Sequence, residues 1–199
     1  MSSLRPAAIV AATFGLQLLV AAVPAGAETP AMTHYVLDAA KSSLEFTFLQ
    51  AGAGNKGHFN HFTVSLDFSA ENLAASRLDV VVEMSSVDTG DQERDDTVRG
   101  ADLFAVAKFP QAHFVASQIT KTGAGYEAVG KLTIRGVTHD MRVPFSFRTA
   151  TEAGATAGYM SGKTSLRRLD YGVGQGDWKA TDQVGNEVGV AFSLRLTAH

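Results

Sequence analysis

The residues of this sequence that could do chemistry are its carboxylates, histidines and serines, because it contains no cysteine. Thiol redox chemistry, cysteine nucleophiles and thiolate metal sites are excluded from the start. The densest acidic cluster is Asp88, Asp91, Glu93, Asp95 and Asp96, which has the charge density of a calcium loop. It lacks the D-x-D-x-D-G spacing and the terminal glutamate with which an EF-hand wraps its ion, so a solvated acidic face is the stronger reading. His58 and His61 are three apart, a spacing that suits one face of a helix but sends side chains to opposite faces of an extended segment. His34, His113, His139 and His199 are scattered, and no zinc site is expected. Serines, histidines and acids always offer a nominal triad, but no Gly-x-Ser-x-Gly supports one. Gly172-x-Gly174-x-Gly176 lacks the strand-then-helix setting of a phosphate loop and reads as a flexible loop. No catalytic constellation, metal or cofactor is expected.

The elements that would have to position such groups have a period of two, the spacing that sends alternate side chains to one face of a strand. Leu44, Phe46 and Phe48 alternate with Glu45 and Thr47. Phe62, Val64, Leu66 and Phe68 do so against Thr63, Ser65 and Asp67. The pattern returns in Leu78, Val80, Val82 and Met84, in Leu132 and Ile134, in Met141, Val143, Phe145 and Phe147, and in Val188 to Leu196. Tyr35–Leu37, His113–Ile119, Tyr126–Val129 and Met160–Leu166 are weaker strand candidates. Gly123-Ala124-Gly125 reads as a hairpin connection, and Val137-Thr138-His139 after Gly136 as another turn. Strands with one polar and one apolar face describe an antiparallel barrel or sandwich, and a barrel removes the exposed edges.

One stretch breaks this rhythm. Between Asp91 and Pro110 the sequence is charged and then apolar at helical spacing, through Leu103, Phe104 and Val106. The expectation there is one or two short helical turns, N-capped by Asp102, covering one end of the barrel.

Residues 1–27 read as an export signal. Arg5 supplies a positive start, an apolar run extends from Ala7 to Val23, and Ala25-Gly26-Ala27 gives the small-x-small cleavage pattern. Residues 28–199 then form one domain, with no second apolar stretch near a membrane-spanning length and no repeat. The net charge of −3 does not favour nucleic acid, which calls for a basic face. Periplasm is the expected compartment.

Several segments, in order, carry a family likeness. Tyr35-Val36-Leu37-Asp38 is followed by Lys41-Ser42-Ser43-Leu44-Glu45-Phe46, and Lys56-Gly57-His58-Phe59 precedes Phe62. Ser86-Val87-Asp88-Thr89-Gly90 leads to Arg94-Asp95, Val98-Arg99, Asp102-Leu103-Phe104 and Lys108-Phe109-Pro110. Gly130 to Thr138, Arg168 to Gly174, and Val184-Gly185-Asn186-Glu187-Val188 complete the set. In this combination the sequence resembles the YceI-like family, the lipocalin-like polyisoprenoid-binding proteins. Lys131 and Met141 depart from the family's usual residues without touching the apolar pattern.

The resemblance implies an all-β, antiparallel, lipocalin-like eight-stranded barrel enclosing an apolar channel for a long isoprenoid or fatty chain, with no catalytic residues. The inward-facing candidates for its lining are Phe46, Phe48, Phe62, Val64, Leu66, Val80, Val82, Phe104, Phe114, Leu132, Ile134, Phe145, Phe147, Leu166, Trp178, Val190 and Phe192. Periodicity establishes only a dry face, which a filled core would share; the resemblance argues for the void. Trp178 suits either the channel mouth or a loop anchor. Arg94 and Asp95 read as a structural ion pair or a cap of the covering segment, with contact to a ligand head group as the alternative. One of Arg167 and Arg168 reads as facing inward or paired with an acid, a structural salt bridge being favoured over contact with a quinone or phosphate head. The expected role is a periplasmic binding or carrier protein, whose outer surface would allow a homodimer. The alternatives are a calycin-like enzyme on an apolar substrate, or an interaction protein with a filled core.

Overall fold

The computed structural model describes residues 31–123 and 125–199; the export signal expected at residues 1–27 lies outside them. Among the described residues one antiparallel sheet contains β1 (Thr33–Leu37), β2 (Ser43–Gln50), β3 (Ala53–Phe59), β4 (Phe62–Phe68), β5 (Arg77–Glu83) and β6 (Val87–Asp88). It continues with β7 (Gln111–Thr122), β8 (Gly125–Ile134), β9 (Val137–Glu152), β10 (Ala155–Arg167) and β11 (Glu187–Ala198). The sheet closes because β1 pairs with both β4 and β11. Eight strand positions therefore surround the axis in the order β1, β4, β5, β7, β8, β9, β10, β11.

The three remaining strands lengthen this barrel. β2 continues β1 along β11, with Ser43 to Thr47 opposite Ser193 to Gly189. β3 precedes β4 and pairs with β2 from Glu45↔His58 to Gln50↔Ala53, while β6 continues β5 along β3. Pairing between the first two positions stops at Val36↔Ser65 and resumes only at Glu45↔His58. The wall parts in between, and the barrel has two unlike halves.

The closed half is filled. Leu66, Ala128, Ala116 and Leu196 are fully buried there, with Ile119 and Phe145 nearly so. Aromatic rings complete the plug: Phe68 lies 5.0 Å from Tyr126 and 4.7 Å from Phe147, and Tyr35 meets Phe147 edge-on at 5.3 Å. Such offset and edge-on pairs add to the stabilisation from burial alone. Arg195 on β11 fastens this half at its seam. It donates to Asp38, after β1, at 2.6 Å, and to Glu152 at the end of β9 at 2.6 and 3.1 Å, in charge-assisted bonds of the stronger kind.

Local sequence explains the connections, and the structure corrects two expectations, the second turn and the helix. The turn between β8 and β9 is Arg135-Gly136, both at positive φ (51° and 75°), and Val137-Thr138-His139 already belongs to β9. A two-residue turn with both φ positive matches the twist of the flanking strands, and glycine takes the second position without strain. Thr122 pairs with Gly125, so the hairpin expected at Gly123 to Gly125 is present. The α-helix, α1 (Gln92–Arg99), lies ahead of the expected place. Asp91 caps it by accepting the Arg94 backbone N–H, an orphan donor of the first turn, whereas Asp102 to Phe104 form turns. β3 carries no apolar alternation in its Gly54-Asn55-Lys56-Gly57 stretch, and strand pairing overrides that weak local preference.

The filled and lengthened halves should answer truncation differently. Phe145→Ala is expected to cost about 3–5 kcal/mol of unfolding free energy, the usual range for a packed aromatic. Phe48→Ala is expected to cost less than half of that. Urea denaturation of both variants checks the contrast, and equal losses would place Phe48 in a packed core.

Candidate functional site

The lengthened half encloses a cavity of about 270 Å³. Its wall is hydrocarbon on nearly every side. β2 contributes Phe46 and Phe48, β4 Phe62 and Val64, β5 Val80 and Val82, and β7 Phe114. Leu132 and Ile134 of β8, Leu166 of β10, and Val190 and Phe192 of β11 complete the ring, with Phe104 and Trp178 above it. These fourteen are all among the inward residues expected from the sequence. Around the cavity Phe46, Phe62, Val80, Leu132 and Val190 keep some exposed surface while Val64 and Phe114 line it buried, and in the filled half Leu66 and Leu196 keep none. Inward apolar side chains remain accessible only where nothing packs against them.

Three expected lining residues sit elsewhere. Leu66, Phe145 and Phe147 are not on the cavity's lining; they belong to the filled half, where Tyr35, Phe68 and Tyr126 pack with them. Alternation places a residue on the inner face; it does not say how far along the axis the packing stops. The cavity also takes Leu44, Phe59, Val98, Leu103, Val173 and Val188. Phe59 was hidden because β3 is glycine-rich, and the bare Gly57 beside it makes room for the Phe46 ring.

Two connecting segments and α1 surround the cavity's outer end. Leu103, Tyr171 and Val173 form a small core with Val98, Phe104, Leu166 and Trp178 packed on it. Burial first, and the charge of Asp170 second, push the Tyr171 hydroxyl above its usual pKa, so it stays neutral. The segment 172–186 is joined to the tip of the β2–β3 hairpin through Gln50↔Val184 and through Ala51 N–H to Gln183 at 2.9 Å. Trp178 therefore does both things its position allowed: its ring lines the cavity and its segment is anchored on the barrel.

The anchor is Arg168, only 4% exposed. Its guanidinium donates to the carbonyls of Gly185 (3.0 Å), Val173 (2.9 Å), Trp178 (2.7 Å), Ala180 (3.3 Å) and Val184 (2.7 Å). Burial pulls its pKa below the ordinary arginine value, yet five carbonyl dipoles take the place of a counter-ion. Gly174, at φ +120°, passes so close that a Cβ there would overlap Arg168 Nη1. The roles expected for this arginine pair are split: Arg167 is exposed and meets Asp170 at 3.2 Å, while Arg168 is buried and pairs with no acid among the described residues.

Arg94 and Asp95 are not an ion pair either. Asp95 is buried and accepts from the Thr89 backbone N–H and hydroxyl at 2.8 and 2.7 Å. Arg94 turns toward the cavity and donates to Asn55 on β3 at 2.8 Å. No cluster of three or more metal-ligating side chains is found among the described residues, and no helix among them is long and apolar enough to cross a membrane.

The closed eight-position barrel, the apolar end-cavity and the covering helix coincide with a match to the YceI-like domain over residues 35–196. The chain belongs to the YceI-like family. A crystal structure from Burkholderia cenocepacia, BcnA, superposes with a TM-score of 0.74 at 32% identity, covering 80% of this chain and 98% of that one. A domain from Saccharophagus degradans, described as polyisoprenoid-binding and implicated in plant cell wall breakdown, superposes at 0.60 with 18% identity over 83% of this chain and 98% of its own; this likeness speaks for the fold. A UPF0312 protein of Yersinia pestis is 46% identical over 82 residues, 41% of this chain and 43% of that relative's length.

Arg168→Met should release the covering segment. Several buried carbonyls lose their donor, at about 1–3 kcal/mol for each left unsatisfied. Hydrogen exchange is expected to accelerate across residues 172–186 while β4, β5 and β7 stay protected. Unchanged exchange in that segment would mean that its own turns hold it.

Proposed function

We propose that this YceI-like protein is a non-catalytic binding or carrier protein that holds a long isoprenoid, such as a polyprenyl quinone, or another fatty chain in the void of its barrel. The observation that carries the reading is the void itself: about 270 Å³ walled by hydrocarbon, in a barrel whose other half packs to completion. Transfer of a chain into such a wall contributes about 0.8 kcal/mol per CH₂. Ten methylenes give roughly 8 kcal/mol before the cost of association, which is of the same order. Affinity then rises with chain length and needs no specific polar contact.

The polar side chains on the lining are Glu45, Gln50, Arg94, Thr97, Thr164 and Arg168, with no histidine, serine, lysine or aspartate among them. That inventory favours binding over acid–base or nucleophilic catalysis. The description of the Saccharophagus degradans domain as polyisoprenoid-binding supports an isoprenoid as the cargo. The pattern of Arg5, the Ala7 to Val23 run and Ala25-Gly26-Ala27 supports export to the periplasm, where an insoluble chain needs a carrier to cross water.

Native mass spectrometry of protein purified from its own host, with lipid analysis of an organic extract, tests the cargo. A bound prenyl or fatty species is expected; an empty protein that also ignores added prenyl quinone would defeat the proposal. A second check fills the cavity. Val190→Trp adds bulk where there is space, so it should avoid the usual overpacking penalty and keep the melting temperature. Prenyl-chain affinity should fall about tenfold or more, equivalent to roughly 1.4 kcal/mol. Unchanged affinity would place the ligand outside the barrel.

A further inference from the structure

Two guanidinium groups border the cavity, and their donors are used differently. A guanidinium offers five N–H donors. Arg168 gives its donors to five carbonyls of the covering segment. Arg94 gives one hydrogen bond, to Asn55 Oδ1 at 2.8 Å, and its Nη2 stands 3.5 Å from Asp91 Oδ2, beyond the 2.7–2.9 Å of a charge-assisted bond. Most of its fork therefore has no acceptor among the described residues. Its side chain is 26% exposed and lines the cavity, so it stands where the hydrocarbon wall meets water. Gln50, at the end of β2, lines the same cavity.

We infer that Arg94 is the head-group anchor of this site: an amphiphile enters tail first, and Arg94 holds an uncharged, oxygen-bearing head at the cavity's outer end. This inference rests on the lipid-binding reading above. The chemistry of the head follows from the surroundings of the guanidinium. Its unspent donors need carbonyl or ether oxygens. Asp91 already leans on the same charge at 3.5 Å, and Glu45 is the acid on the cavity's lining, so a phosphate would compete with one carboxylate for the guanidinium and meet another on the wall. An uncharged head takes the hydrogen bonds without that repulsion. The tail supplies affinity by burial and the head supplies orientation.

The test uses delipidated full-length protein and three probes of matched prenyl length: a headless hydrocarbon, a quinone and a prenyl phosphate. Wild type is expected to bind the quinone more tightly than either of the others. Arg94→Met keeps the stem's packing and removes the fork, and should weaken the quinone about tenfold or more, as expected for a hydrogen bond to a charged donor. Its affinity for the headless chain should stay within about twofold of wild type. Arg94→Lys, which keeps charge but not the fork, should fall between. Melting curves of both variants establish that each is folded. Equal loss for quinone and hydrocarbon would make Arg94 a structural residue and overturn the inference while leaving the carrier role standing. Tightest binding of the phosphate would overturn the uncharged-head assignment. Failure of wild type to bind any of the three would overturn both readings together.

Discussion

Closure of the sheet through β1 and β11 is the constraint on which the rest of this structure depends. Once the circuit is shut, the backbone donors and acceptors around the barrel are spent on neighbours in the wall. The interior is then shaped by side chains alone, and the alternation of the strands makes those side chains apolar. Closure is local to one half. β1 bridges β4 and β11 only along a few residues, and Arg195 clamps the place where it ends by holding Asp38 and Glu152 together. Past that clamp the wall is carried on by the β2–β3 hairpin, and the interior widens.

The two halves divide the work of the molecule. The plug of Tyr35, Phe68, Tyr126, Phe145 and Phe147 supplies packing that an empty barrel would lack. This permits the other half to keep a void without collapse, since the dispersion attraction missing around the void is offset by a fully packed neighbour. The covering segment needs a different device, because a loop over an apolar hole has little to pack on. A single buried arginine gathers its carbonyls, and a glycine at φ +120° lets the backbone approach that side chain. A guanidinium suits this task because its donors radiate in one plane and its charge does not titrate away.

The barrel was legible in the sequence because alternation is the direct imprint of a wall with one dry side. Phe62 to Phe68, Met141 to Phe147 and Val188 to Leu196 all face as their spacing requires. What alternation lacks is a coordinate along the axis. Leu66 and Val64 belong to one strand and one face, yet Val64 lines the void and Leu66 lies in the plug. The difference is made by residues distant in sequence. The helix lies away from its apparent signal for a related reason: Leu103 and Phe104 are apolar because they pack with Tyr171 and Val173, while the true helix is mostly polar and is marked by its Asp91 cap. Arg168 was visible as a residue of interest, but its five carbonyl partners come from turns that no periodicity describes.

The lengthened half holds a hydrocarbon-walled cavity, while the closed half is filled by its own side chains. Apolar cavities that exclude water bind xenon, so a crystal structure of delipidated protein under xenon pressure tests this most directly. The account predicts xenon between Phe46, Val80 and Val190, and none among Tyr35, Phe68 and Phe147. Ordered waters in place of xenon in the first position, or xenon in the second, would contradict it.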